Sequence, residues 1–234
     1  MHEIINIELL LIGSLQLILV GLIIYRLYVG KRRSGRDWLM KVFFLYLIHL
    51  MFFMGESATN AGLILLINPD ILGLFHHYFF TLLFIAFGYG ILDAIVTQPL
   101  HKRILKHNTI LSILVLTFIT MAIILSEGKE LKFSHTGMEF IYEIFQALIN
   151  LLVIVVLYNS WKDTGSRRLM LDTVAISLFF FGNTGHILTL IATTALPLHL
   201  EFTFVKYVLF TFALVIFAYV PSAPSRGPTH RSHT

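Results

Sequence analysis

The sequence predicts an all-α integral membrane protein, a bundle of seven transmembrane helices. Three observations carry that prediction. The 234 residues are 57% hydrophobic, with a mean hydropathy of +0.82. Charged residues make up only 13% of the chain, too few to cover a soluble domain of this length. The apolar residues also fall in runs long enough for the roughly 20 residues a helix needs to cross hydrocarbon. Lipid offers the backbone no hydrogen-bond partners, so each run must satisfy its own amides and is read as a helix.

The first run covers about residues 6–29. The chain opens with MHEIINIE, acidic where a signal peptide would be basic, and no small-residue cleavage site follows the run. The run is therefore expected to be a span, not a cleaved signal peptide. Lys31, Arg32, Arg33 and Arg36 follow it. The second run, 38–67, stops at the turn signal Asn68-Pro69-Asp70. The third, 71–97, is closed by Gln98-Pro99, because a residue before proline avoids the α region. Asp93 near its end is expected to pair with Lys102 or Arg103. The fourth run, 108–126, follows Lys102, Arg103 and Lys106 and leads into a mixed segment with Glu127, Lys129, Glu130 and Lys132. The fifth, 138–158, precedes Lys162, Arg167 and Arg168. Pro197 separates the sixth run, 170–195, from the seventh, 198–221. Residues 1–221 are thus one transmembrane domain, and 222–234 have the composition of a disordered cytoplasmic tail carrying Arg226 and Arg231.

Basic residues cluster after the first, third, fifth and seventh spans, while Asp70 and Glu201 lie in the loops between. Positive charge stays on the cytoplasmic side, so the expected orientation is N-out, C-in. The same asymmetry explains the formal net charge of +4 without nucleic acid as a partner; the lipid bilayer is the partner expected. Short loops and an acidic start suit a bacterial inner membrane. Seven spans use nearly all of these residues, leaving no length among them for a kinase or nucleotide-binding domain. With no cysteine, disulfides, thiolate metal sites and cysteine nucleophiles are excluded.

Parts of the chain resemble one another. Leu27-Tyr28 and residues 34–40 (SGRDWLM) match Leu157-Tyr158 and 164–170 (TGSRRLM) in one register. Residues 52–57 (FFMGES) resemble 179–184 (FFFGNT), and 82–84 resemble 208–210. Spans one to three would then repeat as spans five to seven in parallel, a 3+1+3 plan with span four as linker. In layout this resembles SWEET-type sugar transporters, and the N-out seven-helix outline resembles microbial rhodopsins. The Pro-Gln motif of the first and the span-three signature of the second are absent, and membership of neither is implied.

Ionisable groups inside a bilayer are costly, which makes each one a functional candidate. Glu56 on span two, His76 and His77 on span three, Glu143 on span five, His186 on span six and Lys206 on span seven fall at a similar depth. With a rise of ~1.5 Å per residue, that depth is roughly 8–15 Å below the outer boundary. His49, Phe53, Glu56 and Asn60 share a stripe, as do Glu143, Gln146 and Asn150, and Asn183 with His186. Gly182 and Gly185 beside the last pair permit close approach of a helix or a flat ligand.

These groups suggest several chemistries. His76, His77, His186 and Glu56 could ligate a transition metal, or two of the histidines a haem iron. Glu56, Asn60, Glu143, Gln146, Asn183 and Lys206 could line a pocket for a proton, an amine or another small ligand. Lys206 could carry a retinal Schiff base with Glu56 or Glu143 as counter-ion, although a lysine near a helix end also snorkels. A Glu56–His186 clamp with only a structural role would use the same residues. The expectation is a sensor or receptor-like protein with a polar pocket in its outer half, signalling to a cytoplasmic partner. The alternatives are a small transporter on the 3+1+3 plan and an accessory subunit of a membrane complex. Neither a nucleophile–base pair nor a strong metal-ligand spacing argues for an enzyme.

Overall fold

The computed structural model describes residues 2–34, 37–64, 68–95, 99–126, 135–192 and 196–219. They form seven helices: α1 (His2–Ser34), α2 (Asp37–Asn60), α3 (Pro69–Ile95), α4 (Pro99–Ser126), α5 (His135–Thr164), α6 (Arg167–Ala192) and α7 (Leu196–Tyr219). Each is long and apolar enough to cross a membrane. The expected tail, 222–234, and the charged segment Glu127–Lys132 lie outside the described residues.

Several helices differ in length from the apolar runs. α2 stops at Asn60, not at 67, because a backbone motif ends it there. Gly62 takes φ +73°, its amide donates to the Thr59 carbonyl, and the Leu63 amide donates to the Ala58 carbonyl. This pair of bonds satisfies the last carbonyls of a helix and favours glycine at the left-handed position. α5 ends in a related way at Gly165, with φ +64° and its amide on the Trp161 carbonyl. α4 begins at Pro99, well before 108. Proline suits the first helical position, where its missing N–H costs nothing, and the basic turn that follows stays helical beyond the apolar stretch. Pro69 opens α3 in the same way, and Pro197 is the second residue of α7.

Among the described residues, α1 packs on α2, α2 on α3, α3 on α5, α5 on α6, α6 on α7 and α7 on α1, closing a ring of six helices. α4 packs mainly on α3, outside the ring, and its Thr120 hydroxyl reaches the Tyr142 hydroxyl of α5 at 2.6 Å. The buried share of the span is accordingly 67% for α3 and 11% for α4. Consecutive spans alternate in direction, so the α3–α5 and α7–α1 neighbours run parallel. The ring is filled toward the basic loops by an apolar core that includes Val20, Val42, Phe84, Val153, Ala175, Ile176, Phe179, Phe210 and Leu214. Leu11, Ile18, Phe118 and Phe181 are among the large apolar side chains left exposed, the surface that lipid covers. At the basic end, Lys102 sits 3.6 Å from Asp93, the pairing expected from sequence, and Arg26 donates to the Ala218 carbonyl across the α1–α7 seam.

Candidate functional site

The end of the ring away from the basic loops is built from the C-terminal turns of α2 and α6 and the N-terminal turns of α3, α5 and α7. Alternating helix direction brings these ends together, and side chains far apart in sequence converge there. Glu56 Oε2 lies 2.6 Å from His76 Nδ1. Lys206 donates to Glu143 Oε1, with both side chains almost fully buried. His186 stands between two carboxylates, its Nδ1 3.4 Å from Glu143 and its Nε2 3.6 Å from Glu139. His77 faces the same two, its Nε2 3.4 Å from Glu139 and its Nδ1 4.0 Å from Glu143. Two histidines and two glutamates from three helices therefore alternate around a closed square, with Lys206 on one corner.

Surrounding groups fix the orientation of this cluster. Thr203 Oγ1 meets His186 Nε2 at 3.2 Å. Thr81 donates to the His77 carbonyl and accepts from Gln146 Nε2, both at 2.9 Å. The Tyr207 hydroxyl lies 3.5 Å from His76 Nε2. His49 Nδ1 lies 3.1 Å from the His76 carbonyl. That oxygen can only accept, so Nδ1 carries the proton. The His49 ring stacks on Phe80, with centroids 4.3 Å apart, and Phe53 stacks on Tyr207 at 4.0 Å. These rings form an aromatic wall beneath the charged groups.

A cavity of about 80 Å³ opens among Asn6, Phe53, Glu56, Asn60, His76, His77, Glu139, Thr203, Lys206 and Tyr207. Of the residues expected from sequence, Glu56, His76, His77 and Lys206 line it directly, and Asn60 stands at its exposed mouth. Glu143 and His186 lie in contact with this group just behind it. Gln146 and Asn183 are fully buried and are not among the lining residues. Lys206 is not at the interface: its side chain is 2% exposed.

Participants that were not expected include Asn6, Glu139, Thr203 and Tyr207. Glu139 falls one residue inside the run that starts at 138, a position easily read as interfacial; its spacing of four from Glu143 was the signal available. Thr203 and Tyr207 flank Lys206 by one helical turn and by one residue, and nothing in their residue type marks them.

For a metal, no group of three or more His, Asp or Glu side chains among the described residues is arranged to hold an ion. A haem is far larger than the cavity. Gly182 is not open to a flat ligand: a Cβ there would stand 2.8 Å from Phe210 Cε1 and 3.4 Å from the Lys206 carbonyl. It is the crossing point of α6 and α7. Gly185 has nothing within 4 Å of the same position.

Fold and site together define a membrane-spanning seven-helix bundle with a buried histidine–carboxylate–lysine cluster at one end. No family model, curated protein or solved structure matches this chain.

Proposed function

We propose that the chain is a sensor or receptor-like membrane protein, oriented N-out and C-in, whose outer-half pocket takes a small ammonium-type cation. The observation that supports this most is the lining of the cavity: the carboxylates of Glu56 and Glu139 line it together with the rings of Phe53 and Tyr207, and Glu143 stands just behind. An ammonium group among them gives buried carboxylates a partner of opposite charge. The Phe53 and Tyr207 rings beside Glu56 add cation–π attraction. The cavity of about 80 Å³ is well short of the roughly 300 Å³ of a drug-sized site, so the cation is small. Pocket residues come from α1, α2, α3, α5 and α7, so a cation among them tightens the α1–α7 and α3–α5 seams of the ring. The basic loops at the far end, facing the cytoplasm in this orientation, would pass that change to a signalling partner or to neighbouring membrane subunits.

The test is thermal unfolding of the purified protein in ammonium, methylammonium and tetramethylammonium chloride at constant ionic strength. A ligand that binds only the folded state raises the midpoint with a saturable dependence on concentration. We expect that for at least one member of the series, with the effect lost in Glu56→Gln. A flat response of the wild type across the series removes the cation reading.

One observation favours a second reading, a small transporter on the 3+1+3 plan. The register that aligns Leu27-Tyr28 with Leu157-Tyr158 also aligns Gln16 with Gln146. Gln16 Nε2 donates at 2.9 Å to the Tyr207 carbonyl across the α1–α7 seam, and Gln146 Nε2 donates at 2.9 Å to Thr81 across the α5–α3 seam. Thr81 and Tyr207 are themselves equivalent in the register that pairs 82–84 with 208–210. Two equivalent glutamines thus bridge two equivalent positions, as a duplicated triplet would have them. A closed ring of α1, α2, α3, α5, α6 and α7 shows the same order of neighbours without duplication, so this favours the plan through the glutamines alone.

A further inference from the structure

Beneath the Lys206–Glu143 pair, the buried face of α5 stays polar for two more turns. Gln146 and Asn150 follow Glu143 at spacings of three and four, on one stripe of the helix. Both are fully buried. On α6, Asn183 lies three residues before His186 and is also fully buried. α5 and α6 are antiparallel neighbours, and His186 meets Glu143, so Asn183 comes level with Gln146. Gln146 Oε1 and both polar side-chain atoms of Asn150 and of Asn183 have no hydrogen-bond partner among the described residues. Glu143 Oε2 likewise has none. An amide left without partners in an apolar interior costs several kcal/mol by transfer scales, and here such groups lie in series.

We infer that this strip holds a short file of internal water molecules running from Glu143 Oε2 down to Asn150. Length decides between water and a single bound cation. Seven residues of α5 separate Glu143 from Asn150, about 10.5 Å at ~1.5 Å per residue. A hard cation holds its oxygens at ~2.3–2.6 Å, so its ligands lie within about 5 Å of one another and cannot span the strip. Water at a hydrogen-bond spacing of ~2.8 Å fills the same length with three or four molecules, and each accepts from and donates to the amide groups it passes. The file ends where the polar stripe ends. One turn beyond Asn150, Val153 is fully buried, and with Leu157, Ile176 and Leu214 it belongs to the apolar core. The hydrated strip is therefore blind: it extends the hydrogen-bond network of the Glu143–His186–Lys206 cluster into the bundle without joining the two sides. This inference is independent of what the pocket binds.

X-ray radiolysis generates hydroxyl radicals from water in place, and they modify the side chains beside it. Applied to the full chain in detergent, it should label Phe179 and Val153, both buried and each about one turn from a strip amide. Asn150→Leu and Asn183→Leu should reduce that labelling several-fold. They should also leave the thermal midpoint unchanged or lower it, because leucine displaces bonded water. If wild-type Phe179 and Val153 stay unmodified, the strip is dry and the inference fails whatever the variants do. Labelling that persists in both variants places the water elsewhere and overturns it equally. A clear rise in midpoint in either variant means that the amides were unsolvated, and also overturns it.

Discussion

Lys206 and Glu143 meet at a depth where both side chains are almost fully buried. Two opposite charges removed from solvent lose hydration that their attraction only partly restores, so removing one partner costs far more than replacing both. Lys206→Met should therefore destabilise the bundle by about 3–5 kcal/mol, measured as the shift in an SDS unfolding curve. Lys206→Met combined with Glu143→Leu should recover most of that loss. If the two changes simply add, the residues are energetically independent and the ion pair contributes nothing specific. The depth of these groups was legible in the sequence, because helical rise converts residue number into distance from the span end. Their partners were not. The sequence offers Glu56 as a clamp to His186, yet Glu56 lies 2.6 Å from His76, and His186 stands between Glu139 and Glu143. Partner choice depends on how each helix is rotated about its axis and which helices are neighbours. Both follow from packing of the whole ring, to which a single helix's stripe is blind.

Elements show the same division. The existence of every helix followed from hydropathy, since lipid forces the backbone to bond internally. The ends did not, because hydropathy tracks where lipid ends and helices obey caps. The apolar run through Leu63 and Ile64 continues past the point where Gly62 terminates α2, and α4 extends over the basic residues Lys102, Arg103 and Lys106 that precede the apolar run. The glycines of α6 make a sharper case. Sequence reading treats Gly182 and Gly185 alike, as small residues allowing approach. Only Gly182 is pressed against α7, where an added Cβ would meet Phe210 at 2.8 Å. Gly182→Ala must push α7 or the Phe210 ring aside, and overpacking of this kind costs typically about 1–3 kcal/mol. Gly185→Ala has open space and should be neutral or slightly stabilising, because alanine restricts the unfolded chain and favours helix. Unfolding midpoints of the two variants, measured side by side, check this. Equal destabilisation would mean that α6 and α7 are not in close contact at Gly182.

At the scale of the whole molecule, charge and burial are both polarised along the bundle axis. One end carries the histidine–carboxylate cluster with its open pocket, and the other carries basic residues including Lys102, Arg103, Lys162, Arg167 and Arg168. Positive residues remain cytoplasmic during insertion, so the pocket end should face outward. The chain contains no cysteine, and single cysteines can therefore be introduced without background. Asn60→Cys, at the mouth of the pocket, should react with a membrane-impermeant maleimide added to intact cells. His101→Cys, exposed at the opposite end, should react only after permeabilisation. The reverse pattern would invert the molecule and remove the outer pocket. A third position separates the two functional readings. Ala175 is fully buried in α6 within the apolar core, which closes the bundle between the pocket and the basic end. A receptor with a blind pocket keeps that layer shut, so Ala175→Cys should stay unlabelled from either side, with or without the cation. A transporter has to open it toward the cytoplasm during its cycle, and labelling of Ala175→Cys in inside-out vesicles that changes with the cation would establish alternating access in place of the receptor reading.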